Sequence, residues 1–501
     1  MLFELKVECT FSRELEQVKR DVGETIARGR PLLLKGAPAG REAEAARIES
    51  WRIDGKKLEL AIVSGRYVRA HDALLRLAKM IRTELGEKHK IGLRRILARE
   101  YRITIPTRMP PDRAGQLLAG LPCEVKVEDQ KAVLILRDLD EAALRGHVVN
   151  RLITMAEAAL EETPPPVAPK VVRVGEEVEH PFREDPLEVA KRLGWVAEFP
   201  GRGQWIYTAP YAKLLRALED LIIDRIALKL GFEEVLFPKL IPLEVMQKMP
   251  GYLDELPEGM YYVSPPPREP EVFAEFKRKL KLTKKLPLDE LRRCLKEPAY
   301  VLAPAQCEPF YEYFGRKRVR VEDMPIKFFD RSGWTYRWEG GGVEGIIRTQ
   351  EFRRIEFVYL GKPEDVIDIR DAVRDKSIEL ASELGLRWRL LVATPFYMRE
   401  GGIEEDVTDS RKVATYDLEV KLPYKDDWLE IASFHVHRTK FVETFKIKEI
   451  KGREIWTGCC GFGTTRWVVS FLAQHGFDPT RWPELVRKRV EPLPKIHWTV
   501  I

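Results

Sequence analysis

A proline-rich segment at residues 163–169 divides the chain into two parts that must fold around separate cores. It holds four prolines in seven residues, and proline continues neither a helix nor a central strand. At 501 residues the chain is also longer than one ordinary domain. We therefore predict a first domain at 1–162, a linker at 163–186 and a second domain at 187–501.

The first part alternates strand-like and helix-like segments. Apolar and polar residues alternate along 57–62, as in a half-buried strand, and apolar residues recur at helical spacing along 67–85. This pattern favours an α+β domain, an antiparallel sheet with helices packed on it. The predicted strands lie within 2–10, 45–63, 99–106 and 123–137, and the predicted helices are 12–27, 67–85 and 140–160.

Charge and cysteine use narrow the class of protein. The net charge of +6 and the pI near 8.8 fit a polyanionic partner without requiring one. No apolar run reaches the roughly 18 residues of a membrane span, and the first residues do not resemble a signal peptide. We expect a cytoplasmic protein without membrane association, whose reduced cysteines are candidate metal ligands.

A strand, a glycine-rich loop and a second strand are predicted around residues 340–342. Arg337 and Glu339 precede the glycines and share a face, while Arg348 and Phe352 follow them. This face offers cations for phosphates, an acceptor and an aromatic ring, the groups that an ATP site needs. The same residues also fit a surface hairpin with ion pairs along the ladder.

Two further segments flank this hairpin. Residues 231–238 follow a helix predicted at 214–230 and end at Pro238. Residues 457–467 form a strand of small residues that runs into a helix, with Arg466 in its first turn. Glycine there allows a ligand to approach the backbone, although a tight strand–helix joint would have the same composition.

In this order, the three segments resemble motifs 1, 2 and 3 of class II aminoacyl-tRNA synthetases. The resemblance implies a catalytic antiparallel sheet flanked by helices, and a homodimer built around motif 1 with Pro238. It also implies that Arg337 contacts the α-phosphate of ATP and that Arg348 and Arg466 contact the γ-phosphate. Phe352 is implied to stack on adenine, and Glu339 belongs to the same ATP site.

Further segments resemble seryl-tRNA synthetases. Residues 416–420 and 429–433 match a stretch of that family in which the residues at Glu430 and Ser433 hold Mg²⁺ on the ATP phosphates. The end of motif 2 also matches, which places Arg354 and Glu356 in the substrate site.

The departures from the common seryl pattern indicate a metal. Cysteines enter the presumed amino-acid pocket at Cys307 and at 459–460. Cys307, Glu356 and Cys460 are predicted to hold Zn²⁺ with one position open for the amine of serine. Cys459 is the alternative to Cys460, and His435 and His437 are weaker candidate ligands. This arrangement resembles the rare, zinc-dependent, methanogen-type seryl-tRNA synthetases.

The resemblance implies ATP-dependent charging of tRNA(Ser) with serine, and leaves open whether a selenocysteine tRNA, tRNA(Sec), is also charged. Residues 271–296 are predicted to form a two-helix insertion, and 395–410 a loop able to close over serine. Alternatives are a threonyl-tRNA synthetase, a non-charging RNA- or nucleotide-binding regulator, and a ligase acting on a carrier protein. The first domain carries a basic stretch whose residues are candidate tRNA contacts: Arg82, Lys88, Lys90, Arg94, Arg95, Arg99 and Arg102. The same residues also fit a scattered, solvated face.

Overall fold

The computed structural model describes residues 1–128, 130–160, 170–393 and 411–497. The chain forms two compact units, Met1–Val167 and Ala168–Ile501. Among the described residues, none of the helices combines the length and the apolar character needed to cross a bilayer. The predicted loop at 395–410 lies outside the described residues.

The first unit is a six-stranded antiparallel sheet with helices on one face. Alternate residues of its first strand, from Phe3 to Phe11, are buried, and those between them face outward. This alternation produces one apolar face for the helices to cover. In sheet order, the strands are Arg47–Asp54, Lys57–Gly65, Leu2–Phe11, Leu93–Pro106, Lys131–Asp140 and Glu124–Glu128.

The predicted α+β character is confirmed, but helix boundaries differ. The helix predicted at 12–27 begins only at Lys19, after a 3₁₀ turn. The helix predicted at 140–160 is interrupted where His147 adopts a left-handed conformation with φ 57°. The helices are Lys19–Arg28, Arg30–Leu34, Ala70–His89, Pro111–Leu118, Glu141–Arg145 and Val148–Leu160.

The basic residues of the first unit lie at its surface, and several of them pair with carboxylates. These pairs join Arg82 to Glu141, Lys88 to Asp21, Arg99 to Glu8 and Asp138, and Arg102 to Glu100.

The second unit is built on a nine-stranded sheet that is antiparallel except at one edge. Its strands, in sheet order, are Glu233–Glu234, Ile326–Asp330, Glu351–Gly361, Trp456–Gly463, Asp427–Arg438, Thr415–Leu422, Trp388–Val392 and Lys170–Val174, with Trp334–Tyr336 beside Glu351–Gly361. Smaller sheets pair Leu240–Pro242 and Tyr262–Val263 with Tyr300–Leu302, Arg318–Val319 with Lys448–Glu449, and Val196–Glu198 with Trp205–Tyr207.

Helices flank this sheet, which confirms the antiparallel sheet with flanking helices expected from the sequence. Residues 271–296 contain two short helices, with a break at residues 284–287 as the sequence suggested. The helices of the second unit are Pro186–Arg192, Ala209–Ile222, the π-turn Ile223–Ala227, Leu243–Met246, Ala274–Thr283, Leu288–Cys294, Glu308–Phe314, Pro363–Glu383, Lys440–Thr444, Thr464–His475 and Glu484–Val490.

A buried carboxylate joins the helix and strand that carry the site. Glu219, on Ala209–Ile222, is fully buried and accepts hydrogen bonds from Arg353 Nε at 3.2 Å and Thr464 Oγ1 at 3.0 Å. Arg216 Nη1 donates to its other oxygen at 2.6 Å. Arg353 lies on the motif 2 strand and Thr464 begins the motif 3 helix, so this one carboxylate links both motifs to the helix Ala209–Ile222, which precedes motif 1.

Replacing Glu219 by leucine should destabilise the second unit by about 3–5 kcal/mol, because it leaves Arg353 buried without its counter-charge. Urea unfolding followed by tryptophan fluorescence measures this, since ten of the eleven tryptophans lie after residue 167. The control is Arg225→Ala, which breaks a half-exposed pair with Glu383 and should change stability by less than about 1 kcal/mol. Equal midpoints for both variants would contradict the role of Glu219.

Candidate active site

The register of three neighbouring strands places one row of side chains in a cavity of about 450 Å³. Glu356 on Glu351–Gly361 lies opposite Gly461 on Trp456–Gly463, and Gly461 lies opposite Ser433 on Asp427–Arg438. Residues paired across antiparallel strands point to the same face of the sheet. Apart from Cys460, every site residue predicted from the sequence lines this cavity: Cys307, Arg337, Glu339, Arg348, Phe352, Arg354, Glu356, Glu430, Ser433 and Arg466.

Three guanidinium groups converge at one end of the cavity. Arg337 is held by its Nε bond to the carbonyl oxygen of Pro304 at 3.1 Å, and Arg466 donates to the carbonyl oxygen of Glu430 at 3.1 Å. Burial lowers the pKa of Arg466; the Glu430 carboxylate opposes this, and Arg337 and Arg348 lower it further. Arginines held this close favour an anion such as a polyphosphate.

Two carboxyl groups, those of Asp417 and Glu430, line the cavity together with these arginines. Asp417, on Thr415–Leu422, lines the cavity opposite Ser433. The sequence alone had not indicated a role for Asp417. Burial and the neighbouring Glu430 raise the pKa of Asp417 well above its usual range. Neighbouring carboxylates next to a phosphate site suit a hard divalent cation. The alternation of the strand, with Thr415 and Asp417 both facing the cavity, was the available signal.

Thiol and carboxylate groups cluster at the other end of the cavity. Ligand atoms of Cys307, Glu356 and Cys459 all lie within 4.8 Å of one another, and all three residues are buried. Cys307 immediately precedes the helix Glu308–Phe314. The preceding Gln306 adopts φ 77° and donates from Nε2 to Thr335 Oγ1 at 2.7 Å, which ties this turn to the strand before motif 2.

The buried cluster holds more acidic groups than cations that compensate them. Burial raises the pKa of Glu356, and the Arg354 guanidinium, whose Nε lies 2.6 Å from Glu356 Oε2, opposes that rise. The hydrogen bond between the two thiols and burial raise the pKa of Cys459. Glu356 Oε1 has no hydrogen-bond donor among the described residues. Such a group of donors is suited to a bound cation.

The structure corrects the choice between the two adjacent cysteines. Cys459 joins the cluster, whereas Cys460 pairs with Phe357 and Phe434, lies in the core on the opposite face, and contacts the Tyr359 hydroxyl at 3.5 Å. The prediction of Cys460 as a ligand is therefore wrong in this geometry. Strand alternation was the missed signal, because Cys460 shares its face with Phe462 and Cys459 shares its face with Gly461.

Neither His435 nor His437 belongs to this three-residue cluster, the one that the described residues form. His435 contacts Thr415 Oγ1 and Ser433 Oγ, each at 3.0 Å. His437 contacts Cys459 Sγ at 3.6 Å through Nε2. Burial lowers the pKa of His437 to about 3, so its imidazole is neutral at physiological pH.

Gly461 is the residue that leaves room for the cluster. A Cβ atom at this position would lie 1.9 Å from Nη2 of Arg354 and 2.4 Å from its Cζ. The guanidinium therefore rests directly on the backbone of the motif 3 strand, and in that position it reaches Glu356.

Two family models match the chain. A model described as a tRNA-binding domain covers residues 1–158, and one described as the tRNA synthetase class II core domain (G, H, P, S and T) covers residues 293–475. The type-2 serine–tRNA ligase of Methanocaldococcus jannaschii is 44% identical over 99% of this chain and 98% of its own length. The chain belongs to the type-2 serine–tRNA ligase family. The type-2 serine–tRNA ligase of Methanothermobacter thermautotrophicus is 43% identical over 98% of this chain and 97% of its own length.

Solved structures agree with this family. The seryl-tRNA synthetase of Methanopyrus kandleri, solved with tRNA(Sec) of A. aeolicus, aligns with a TM-score of 0.82 at 41% identity, over 100% of this chain and 99% of that chain. A cytoplasmic serine–tRNA ligase from Naegleria fowleri, solved with AMP, aligns at 16% identity with a TM-score of 0.51 over 69% of this chain and 71% of that chain, which shows a shared fold alone. The resemblance to methanogen-type seryl-tRNA synthetases is thus confirmed, and the protein is an aminoacyl-tRNA ligase.

Substituting Gly461 by alanine should lower serine-dependent pyrophosphate exchange by about 10²-fold, because the new Cβ displaces Arg354 from Glu356 by an ångström or more. Gly115→Ala is the control for a glycine-to-alanine change away from the cavity, since among the described residues its Cβ would meet no atom within 4 Å. It should retain most activity. Equal exchange rates for the two variants would show that the Arg354 position is unimportant.

Proposed function

We propose that this ligase activates L-serine with ATP to seryl-adenylate and transfers the seryl group to tRNA(Ser). We further propose that Zn²⁺ on Cys307, Glu356 and Cys459 binds the amino group of serine. The observation that carries the zinc assignment is the buried cluster of these three ligand atoms within 4.8 Å of one another.

The donor set fits zinc in three respects. Two thiols and a carboxylate are ligands that Zn²⁺ accepts, and three protein ligands leave the fourth tetrahedral position open. Burial raises the pKa of Glu356, and the hydrogen bond with Cys307, together with burial, raises the pKa of Cys459. A bound cation would oppose both shifts because it favours the ionised ligands. When bound, the metal supplies a Lewis acid that selects a substrate with a free amine.

The opposite end of the cavity is assigned to ATP. Arg337 is the proposed contact for the α-phosphate, and Arg348 and Arg466 for the γ-phosphate, while the Phe352 ring stacks on adenine. Glu339 is fixed in the same loop, because its N–H donates to Gln350 Oε1 at 3.0 Å. Glu430 and Ser433, with the half-buried Asp417 in the same cavity, are the proposed ligands of Mg²⁺, which screens the phosphate charge.

The proposed reaction needs no nucleophile from the protein. The serine carboxylate attacks the α-phosphorus of ATP, the bond to the leaving pyrophosphate breaks, and seryl-adenylate forms. The arginines neutralise the charge that builds up on the phosphoryl oxygens and hold both reactants in line. A terminal tRNA hydroxyl then attacks the seryl carbonyl and releases AMP.

The first unit is the proposed tRNA-binding part, supported by the family model over residues 1–158. The complex of the M. kandleri relative with tRNA(Sec) supports including a selenocysteine tRNA among the substrates. The homodimer and the cytoplasmic location stay predictions.

Removing zinc should abolish serine-dependent pyrophosphate exchange, because the amine would lose its binding position. Exchange is measured with serine, threonine and the other amino acids in turn, before and after a strong chelator and after adding back Zn²⁺. Activity with serine alone that disappears and returns supports both assignments. Serine-dependent exchange that does not change on chelation would contradict the zinc assignment and leave the ligase assignment in place.

The two adjacent cysteines provide a matched pair of variants. Cys459→Ala should lose bound zinc and lower serine-dependent exchange by about 10²-fold or more, whereas Cys460→Ala should keep its zinc, because its side chain faces the core. Zinc content is measured by elemental analysis of the purified proteins. Loss of zinc from Cys460→Ala alone would restore the ligand set first predicted from the sequence.

A further inference from the structure

A buried histidine connects the two elements that carry the cysteines of the cluster. His437 Nε2 lies 3.6 Å from Cys459 Sγ, on the neighbouring strand. Its Nδ1 lies 3.3 Å from the hydroxyl of Tyr311. Tyr311 is on the helix Glu308–Phe314, which starts directly after Cys307. One imidazole therefore spans from the strand of one thiol to the helix of the other.

The surroundings of His437 fix its ring. The side chain is 2% exposed, and Phe441 packs against it with ring centroids 4.4 Å apart. Phe441 also packs on Tyr311 at 4.5 Å. The Thr457 hydroxyl also lies 3.3 Å from His437 Nδ1. A ring enclosed in this way cannot turn without breaking contacts on both sides.

Hydrogen-bond chemistry then determines which nitrogen carries the proton. A neutral imidazole has one N–H and one acceptor nitrogen. Two hydroxyl groups, those of Tyr311 and Thr457, can donate to Nδ1, whereas a metal-bound Cys459 is a thiolate that only accepts. The consistent arrangement has Nε2–H pointing at Cys459 Sγ, with Nδ1 accepting from a hydroxyl.

We propose that His437 is a positioning residue for the amino-acid pocket: its Nε2–H donates to the Cys459 thiolate and its Nδ1 holds the Cys307 helix through Tyr311. This inference rests on the zinc assignment of the proposed function. The imidazole orients the sulfur toward Cys307 and Glu356 and stabilises its ionised form. Groups that hold a metal ligand in this way typically contribute 10–100-fold in metal affinity.

The test measures zinc affinity by competition with a chromophoric chelator, using the full-length chain. Leucine at position 437 removes both hydrogen bonds, so His437→Leu should weaken zinc binding about 10–100-fold. His437→Gln keeps an N–H donor near the position of Nε2. Because that hydrogen bond is retained, its zinc affinity should stay within about threefold of that of the original protein. His475→Leu is the control for burying leucine in place of histidine, because His475 bonds to Leu384 outside the cavity.

Two further readouts separate positioning from general destabilisation. The absorption bands of the Co²⁺-substituted protein report thiolate ligation, and they should shift in His437→Leu and remain in His437→Gln. The KM for serine should rise in His437→Leu while the KM for ATP stays constant, since the ATP end of the cavity is untouched.

The outcomes distinguish the two proposals. If the original protein binds no zinc, the metal assignment fails and the role of His437 fails with it. If the original protein binds zinc and His437→Leu binds it equally well, only the role of His437 is overturned. Equal loss of zinc affinity in folded His437→Leu and His437→Gln would overturn the role of the N–H donor. Equal loss of zinc affinity in His475→Leu would show that the effect comes from general destabilisation.

Discussion

The site depends on the register among three antiparallel strands, Glu351–Gly361, Trp456–Gly463 and Asp427–Arg438. Because paired residues share a face, this register places Glu356, Gly461 and Ser433 in one row and the pair Cys459 and His435 in the next. A shift of one residue would turn every one of these side chains into the core. The buried carboxylate of Glu219 stabilises the same arrangement, since it accepts hydrogen bonds from the motif 2 strand and from the start of the motif 3 helix.

Two sets of charged groups lie along this row of the cavity. Arginines gather at one end, where burial and mutual repulsion lower the pKa of Arg466. Thiols and the Glu356 carboxyl group, with Arg354 beside it, gather at the other. Burial raises the pKa of Glu356 there, and the hydrogen bond with Cys307, together with burial, raises the pKa of Cys459. The first end is complementary to an anion and the second to a cation. Serine, which carries a carboxylate and an amine, can thus lie between ATP and a metal with each of its charges directed to the matching end.

The sequence predicted the α+β fold from strand and helix periodicity, which is a local signal. Strand alternation placed Arg337 and Glu339 on one face, while the resemblance carried by the order of three motifs implied most other members of the cavity. The structure differed at Cys460, since two adjacent residues on a strand face opposite sides, and only the pairing with the next strand, or the alternation with Phe462, decides between them. Asp417 was missed as a site residue, and His437 was considered only as a weaker candidate ligand, because their surroundings are formed by neighbours far away in the chain.

The acceptors at the amine end of the cavity favour a metal over direct hydrogen bonding. A serine ammonium group offers three N–H donors and needs as many acceptors. Glu308, buried beside the cluster, directs one oxygen to the N–H of Ala305 at 3.0 Å and does not line the cavity. Glu356 gives one oxygen to Arg354 and leaves Oε1, while the two thiols are weak acceptors. Cys307, Glu356 and Cys459 therefore offer one strong acceptor, Glu356 Oε1, to the three N–H donors of an ammonium ion, whereas the same three residues suit Zn²⁺ with a neutral amine in the open position.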